Sequence, residues 1–398
     1  MRKIYLFTFM ILLLAHLKGQ AQQITLHVEP AGTLPRMIDE SRFPYITDLK
    51  LTGELNGTDI KHIREMILSK LKVLDLSEAR IVSGGGPYAQ YYTQYYYTDN
   101  DIIGHYMFGY YKELPVISKI ILPKSTLEIG KEAFRNCTSL TDINIPNAVT
   151  SIGKSAFMYC TSLTDINIPN SVTSIEEGAF MYCTSLTDIN IPNSVTSIGK
   201  SAFYDCTSLT DINIPNSVTR IGYSVFCNCT SLTDINIPNA VTSIGTYAFC
   251  NCKSLTDINI PNSVTSIGTQ AFSGCKSLTD INIPNSVTSI GEYVFYECDN
   301  LKSVYMNSST PPYSDVQASS KDLTIYIPRG SYTAYWLSCW GNYNLVEYDP
   351  TDIQGVTTSA YNGAEKYFSI DGRPLPGPCK GVNIIQDTDG KTRKVWIP

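Results

Sequence analysis

The chain has 398 residues, of which 43% are hydrophobic and 17% are charged, and its formal net charge is -6 at pH 7. This mild acidity argues against a nucleic-acid partner, which would require a basic face, and against strong attraction to an anionic membrane surface. Length alone would suggest two or three domains. An internal repeat takes precedence over that estimate, because a solenoid is one continuous core whatever its length.

The first 21 residues have the layout of a secretory signal peptide. Arg2 and Lys3 precede an apolar run from Ile4 to Leu14, and the predicted cleavage point follows Ala21. A membrane anchor is the alternative, but a bilayer span needs roughly 20 apolar residues and this run is much shorter. We therefore predict an exported protein, at the outer cell surface or extracellular, with no membrane span in the mature chain.

Residues 22–101 are expected to form an N-terminal cap with a tyrosine-rich loop. The stretch GGGPYAQYYTQYYYTDND, residues 84–101, is predicted to be a loop because glycines and Asp-Asn-Asp flank it. Tyrosine offers a large contact area at low entropy cost, and binding loops use it for that reason. The alternative is that the loop covers the open N-terminal end of the solenoid. The candidate ligand-binding residues of this loop are Tyr88, Tyr91, Tyr92, Tyr95, Tyr96 and Tyr97.

Residues 102–310 are predicted to be a solenoid built from 23-residue units. Cysteines recur at that interval, at positions 137, 160, 183, 206, 229, 252, 275 and 298. In each unit the phrase DINI alternates polar and apolar residues, which predicts a short strand with Ile166 and Ile168 buried. The phrase SVTSI offers a second extended piece. A glycine such as Gly153 is expected to free the backbone before a turn that carries Phe and Cys.

Stacking of these units is predicted because one unit cannot bury its own apolar residues. Strands of neighbouring coils would then pair in parallel, about 4.8 Å apart. An imperfect unit, IGHYMF, precedes the regular ones, with Tyr111 and Leu114 at the Cys and Leu positions.

The strand phrase also predicts an exposed polar ribbon along the stack. Binding of a glycan or an extended protein is one interpretation of it, and a merely soluble face is the other. The ribbon consists of an aspartate row, Asp142, Asp165, Asp188, Asp211, Asp234, Asp257 and Asp280, and an asparagine row, Asn144, Asn167, Asn190, Asn213, Asn236, Asn259 and Asn282.

The eight periodic cysteines are expected to remain unpaired in the core, because a disulfide would pinch neighbouring coils together. Cys227 and Cys250 stand two residues before this row, again one unit apart. They are a candidate disulfide, and tolerated substitutions are the alternative. We expect no metal site, since the row contains no histidine.

Residues 311–349 are expected to close the solenoid as a C-terminal cap, because the repeat degenerates there into aromatic residues. Residues 350–398 form a separate segment. Its Asp371-Gly372 and Asp389-Gly390 pairs favour hairpin turns, which predicts a small β-rich unit.

The phrase IG..AF..C.SLT.I.IPNSVTSIG, with the ending L.IYIPRGS..AYW, resembles the BspA-like leucine-rich repeat proteins that anaerobic gut and oral bacteria export. The resemblance covers roughly residues 43 to 348. It implies a leucine-rich repeat solenoid with a short parallel β-strand per repeat, and with turns and short helical pieces on the other side. It also implies display at the cell surface and adhesion to host proteins or other bacteria. The C-terminal segment resembles sorting and attachment signals of exported proteins from the same bacteria, and a structural cap is the alternative.

No enzyme activity is predicted. The four histidines, at positions 16, 27, 62 and 105, form no spaced pair, and the sequence contains no Gly-x-Ser-x-Gly, His-Glu-x-x-His or phosphate-loop motif. No catalytic residue and no cofactor are therefore expected. The leading hypothesis is an adhesin-like protein whose partners are host or bacterial surface proteins or glycans. The alternative is a structural surface spacer without a specific ligand.

Overall fold

The computed structural model describes residues 22–112, 114–314, 317–318 and 322–349, together with four strands between residues 366 and 397. The predicted signal peptide, residues 1–21, lies outside the described residues.

The N-terminal cap combines parallel strands with one amphipathic helix. Ile60, Ile63 and Ile67 recur at helical spacing in that helix and are fully buried against the sheet. The elements are β1 (Gln22–Val28), α1 (Leu34–Met37), a 3₁₀ helix (Glu40–Tyr45), β2 (Ile46–Leu55), α2 (Gly57–Ile67), β3 (Val73–Ile81), β4 (Gly84–Tyr91) and β5 (Gln94–Thr98).

The stretch expected to be a tyrosine-rich loop is instead a β-hairpin. Strands β4 and β5 pair antiparallel, with Tyr91 opposite Gln94, and Tyr92 stands in the turn with a φ of 53°. Tyrosine favours strands, and three in a row on β5 outweigh the flanking glycines. We call residues 84–98 the tyrosine hairpin.

Two rows of short parallel strands run along the repeats. Residues at equivalent positions of successive coils pair in register, for example Asp165 with Asp188 and Ile166 with Ile189. Ile166 and Ile168 are buried as predicted. The strands are β6 (Ile102–Ile103), β7 (Lys119–Ile121), β8 (Glu128–Ile129), β9 (Asp142–Asn144), β10 (Ser151–Ile152), β11 (Asp165–Asn167), β12 (Ser174–Ile175), β13 (Asp188–Asn190), β14 (Ser197–Ile198), β15 (Arg220–Ile221), β16 (Ser243–Ile244), β17 (Ser266–Ile267), β18 (Asp280–Ile283) and β19 (Ser289–Ile290).

The opposite side of each coil is made of turns that bond to the next coil. The amide N–H of Phe157 donates to the carbonyl of Ala179 at 2.8 Å, and Ser155 and Tyr159 donate to the next coil in the same way. Ser155 and Tyr159 have φ of 53° and 63°, and such left-handed residues interrupt a helix. The short helical pieces implied by the resemblance therefore lie, within the described chain, at the two ends of the solenoid.

The repeated glycine serves close approach rather than backbone torsion. A Cβ on Gly153 would lie 2.7 Å from the carbonyl carbon of Gly130 and 2.8 Å from the carbonyl oxygen of Ile129, both in the preceding coil. The positive φ falls two residues later, on Ser155. The expectation that Gly153 is needed for backbone freedom was therefore wrong, because the residue is needed for the close contact between coils.

The imperfect first unit keeps register as far as Tyr110, whose amide donates to the carbonyl of Arg135 just as the amide of Asn136 donates to that of Met158. Tyr111 is 43% exposed and Leu114 is 68% exposed, whereas Ile117 is fully buried at the position of the repeated leucine. Because three extra residues enter the coil after Tyr110, the predicted alignment of Tyr111 and Leu114 with the Cys and Leu positions is wrong.

The solenoid ends in a parallel sheet capped by aromatic residues. Trp340 and Tyr335 are fully buried there, and Tyr335 donates its hydroxyl to the carbonyl of Ser308 at 2.8 Å. The elements are β20 (Ser303–Met306), β21 (Thr324–Pro328), α3 (Tyr332–Trp336), a second 3₁₀ helix (Cys339–Asn342) and β22 (Asn344–Tyr348).

The C-terminal segment contains an antiparallel sheet of its own, in the order β24-β23-β25-β26. This agrees with the predicted β-rich unit. Its strands are β23 (Lys366–Ser369), β24 (Pro374–Leu375), β25 (Gly381–Gln386) and β26 (Thr392–Ile397).

Candidate functional site

The tyrosine hairpin divides its aromatic residues between the protein and the solvent. Tyr92 is 85% exposed, Tyr95 is 47% exposed and Tyr97 is 58% exposed, so these three rings face outward. Tyr91 and Tyr96 are half-buried. Tyr88 is only 3% exposed, which makes it a core residue of the hairpin.

Two tyrosine hydroxyls fasten the hairpin to the first coil. Tyr88 donates to the carbonyl of His105 at 2.7 Å, and Tyr91 donates to the carbonyl of Gly109 at 3.1 Å. Burial raises the pKa of the Tyr88 hydroxyl, so this donor keeps its proton throughout the physiological range. In the next coil the equivalent carbonyls, those of Lys131 and Arg135, accept from amides of the preceding coil, so the hairpin covers the N-terminal side of the first coil's turns, as the alternative expected.

Arg64 of helix α2 joins three parts of the molecule. Its Nη1 donates to the carbonyls of Met107 and Gly109, both at 3.0 Å, and to that of Tyr106. Its Nη2 lies 3.2 Å from the hydroxyl of Tyr91, and its guanidinium carbon stands 4.4 Å from the ring centre of Tyr110. Because Arg64 is only 8% exposed, these contacts fix the relative positions of helix, hairpin and first coil.

The hairpin and the first coil share a cluster of aromatic rings. Tyr91 lies 4.4 Å from Tyr106 and 6.4 Å from Tyr111, measured between ring centres. Tyr96 lies 5.5 Å from Tyr106, and Tyr92 lies 6.4 Å from Tyr111. A hydrogen bond with Tyr111 raises the pKa of Tyr92. Edge-to-face and tilted pairs of this kind hold the rings in defined orientations.

A cavity of about 200 Å³ opens between helix α2 and the hairpin. Its lining combines aromatic, aliphatic and charged side chains. It is lined by Lys61, Arg64, Glu65, Leu68, Tyr88, Gln90, Tyr91 and Tyr110. This mixture of ring faces and hydrogen-bonding groups suits an amphipathic ligand group.

The polar ribbon is exposed as predicted. The first five aspartates and all seven asparagines are exposed, while Asp257 and Asp280 are half-buried. Lys119 lies 2.6 Å from Asp142 and neutralises the first carboxylate of the row. The hydroxyls of Thr164 and Thr279 donate to Asp165 at 3.2 Å and to Asp280 at 2.8 Å. Local partners therefore offset part of the repulsion between neighbouring carboxylates.

The eight periodic cysteines form a buried row. Each thiol donates to the carbonyl of a phenylalanine in the preceding coil, as Cys160 does to Phe134 at 3.3 Å. Burial raises the pKa of Cys183 to about 12, so the thiol stays protonated. Cys227 and Cys250 are also free thiols in the structure, 7% and 9% exposed. The disulfide between them remains a prediction.

Within the described residues, no group of three or more His, Cys, Asp or Glu side chains is placed to hold a metal ion. Across that same part of the chain, no helix is both long and apolar enough to cross a membrane.

Sequence reasoning missed the residues that support the hairpin, namely Arg64, Tyr106 and Tyr110. Helix α2 itself carries a local signal, because Asn56 and Asp59 form a capping box at its start. Nothing in the sequence near Arg64 indicates that its side chain meets carbonyls more than 40 residues later.

Comparison with known proteins agrees with the repeat architecture. A family model for the BspA type leucine rich repeat region matches in six copies, over residues 101–233 and 219–324. No curated protein matches the sequence. A solved leucine-rich repeat protein from Bacteroides ovatus ATCC 8483 is similar at 19% identity and a TM-score of 0.49, covering 82% of this chain and 92% of its own.

Two further solved structures show partial similarity. A leucine rich cell surface protein from Faecalibacterium prausnitzii A2-165 shares 26% identity at a TM-score of 0.29, over 65% of this chain and 85% of its own. A leucine-rich repeat protein from T. pallidum shares 31% identity at a TM-score of 0.35, over 46% of this chain and 77% of its own. The family match, which spans more than half of the sequence, shows that the chain belongs to the BspA-type leucine-rich repeat family.

Proposed function

We propose that the protein is an exported, adhesin-like binding protein of the cell surface, and that the tyrosine hairpin is its recognition site. The observation that carries the proposal is a set of three exposed tyrosines, Tyr92, Tyr95 and Tyr97, on a hairpin that the buried Tyr88 attaches to the first coil. Its partners are surface proteins or glycans of a host or of other bacteria.

Anchoring favours binding because it reduces the entropy lost on association. Tyr88, Tyr91 and Arg64 already fix the hairpin in the free protein through the hydrogen bonds described above. The exposed rings then need only limited ordering when a ligand arrives. Exposed tyrosines on a rigid support are typical of recognition surfaces.

The volume of the cavity beside the hairpin limits how large a part of a ligand can enter the cavity. Pockets for whole small ligands measure roughly 300 to 1,000 Å³, and this one measures about 200 Å³. It therefore accommodates one protein side chain or one sugar ring. The rest of such a ligand would extend over Tyr92 and Tyr111, which are both exposed.

A structural spacer is the second candidate function, and the uniformity of the polar ribbon favours it. Asp165, Asp188 and Asp211 occupy equivalent exposed positions, so these three coils present the same face. A uniform face gives a ligand no unique place to bind. In either function, residues 1–21 would serve as the export signal and residues 350–398 as a sorting or attachment segment.

An array of host matrix proteins, mucins and bacterial glycans tests the proposal. Residues 22–398 would be compared with a variant in which Tyr92, Tyr95 and Tyr97 are changed to Ser. A matched control changes three exposed tyrosines elsewhere to Ser, namely Tyr223, Tyr296 and Tyr313. The proposal expects specific binding that the hairpin variant loses and the control keeps. Binding that both variants keep would move the site away from the hairpin, and no binding at all would favour the spacer.

A further inference from the structure

Cys227 and Cys250 occupy the same position in two neighbouring coils. The backbone around them is held in register, because the amide of Asp205 donates to the carbonyl of Cys227 at 2.8 Å and that of Asn228 to the carbonyl of Cys250 at 2.7 Å. The equivalent residues Met158 and Tyr204 are half-buried at the protein surface. Cys227 and Cys250 are themselves 7% and 9% exposed, so both thiols lie side by side just beneath the outer face of the turns.

The two thiols interact with each other, and Cys250 also interacts with the Ser273 hydroxyl of the following coil. Both interactions lower the pKa of Cys250 against the opposing effect of burial. Cys250 is thus the thiol of this pair that gains nucleophilic character.

The eight cysteines of the buried row have the opposite environment. Cys229 and Cys252, two residues further along, are fully buried, and each thiol donates at 3.2 Å to a phenylalanine carbonyl. Burial raises the pKa of both thiols. Thiols in apolar surroundings without access to solvent are inert toward exchange.

We propose that Cys227 and Cys250 form a thiol–disulfide exchange site, at which a disulfide donor introduces a covalent bridge between two neighbouring coils. Disulfides join residues whose Cα atoms are about 4.4 to 6.8 Å apart, and neighbouring parallel strands lie about 4.8 Å apart. In these same coils the rings of Phe226 and Phe249 are 5.5 Å apart. The coil spacing therefore allows the bridge once the two Cβ atoms tilt toward each other.

The donor disulfide accepts the two electrons that the protein thiols lose. The Cys250 thiolate attacks one sulfur of a small-molecule disulfide, whose other sulfur leaves as a thiolate and takes up a proton. Cys227 then loses its proton, attacks the Cys250 sulfur in the mixed disulfide and expels the second half of the donor. Two protein thiols are oxidised to one disulfide, and one donor disulfide is reduced to two thiols.

Peptide mapping after exchange tests this site. The reduced protein, residues 22–398, would be incubated in its native state with oxidised glutathione, quenched with acid, and alkylated after denaturation. Trypsin releases residues 221–253 as one peptide, because no Lys or Arg lies between Arg220 and Lys253. Cleavage before Asp234 by a second protease then separates Cys227 from Cys250. The two halves stay together only if a disulfide joins them.

Two variants, compared with the wild type, decide which cysteines are joined. We expect linked halves in the wild type and in Cys229→Ser, and their loss in Cys227→Ser with a glutathione adduct left on Cys250. Serine already stands at the equivalent position 273, so Cys227→Ser fits the fold. Separate halves with both thiols alkylated in the wild type would overturn the proposal. A link that persists in Cys227→Ser would also overturn it, because such a link would have to involve Cys229.

Discussion

Replacing Arg64 by Met removes the guanidinium that joins helix α2, the tyrosine hairpin and the first coil. After the change the carbonyl of Gly109 keeps the Tyr91 hydroxyl, whereas those of Tyr106 and Met107 lose the guanidinium donor. Leaving a buried polar group without its hydrogen-bond partner costs roughly 1 to 3 kcal/mol of stability. Two carbonyls are left in this way, and the apolar Met side chain offsets part of the cost, so we expect the local stability to fall by about 3 kcal/mol.

The loss should be local, because repeat proteins are stabilised by neighbouring contacts. Hydrogen exchange followed by mass spectrometry is therefore the appropriate assay. A loss of about 3 kcal/mol corresponds to roughly 100-fold faster exchange, and we expect it in residues 84–98 and 106–111 but not in the coils after residue 160.

Arg220→Met is the matched control for this experiment, since Arg220 is exposed on strand β15. Changes at exposed positions away from special contacts usually stay within about 0.5 kcal/mol. If Arg64→Met accelerated hairpin exchange less than about threefold, or no more than Arg220→Met does, the role assigned to Arg64 would be refuted.

Three further predictions concern the repeats. Gly199→Ala should destabilise the protein, because the added Cβ would lie 2.4 Å from the amide nitrogen of Glu177. Gly222→Ala should be tolerated, because the nearest atom to its Cβ would lie at 3.6 Å, and thermal melts of the two variants check both expectations. Phe203→Ala should reduce the free energy of unfolding by about 3 to 5 kcal/mol in urea titrations, because it opens a cavity in the stacked row. Burial raises the pKa of Cys183 from 9.0 to about 12. The stabilisation from this buried thiol is thus complete below pH 9 and is lost as the pH rises toward 12. Urea titrations at increasing pH should therefore show that the free energy of unfolding falls steeply above pH 9, and that it falls less steeply in Cys183→Ala.

The repeat architecture could be predicted because its signals are local and repeated. The alternation in DINI placed Ile166 and Ile168 in the core, and the constant 23-residue interval implied the register in which Asp165 pairs with Asp188. Identical side chains stack at every step, so one correct interpretation of a unit applies to all of them.

The hairpin and its supports could not be predicted in the same way. Flanking glycines favoured a loop, while the strand preference of the tyrosines prevailed once α2 and the first coil were packed against them. The contact of Arg64 with Gly109 spans 45 residues and has no local signature. The role of Gly153 depends on an atom of the preceding coil, which the single repeat does not reveal.

The central claim is that recognition occurs at the tyrosine hairpin and not along the polar ribbon. The most direct measurement is the dissociation constant of the strongest array ligand for three proteins. These are residues 22–398, the same chain with Tyr92, Tyr95 and Tyr97 changed to Ser, and the same chain with Asp165, Asp188 and Asp211 changed to Asn. Loss of aromatic contacts worth about 1.4 kcal/mol or more predicts at least a tenfold weaker affinity for the hairpin variant, with the ribbon variant unchanged. A weakened ribbon variant beside an unchanged hairpin variant would contradict the account.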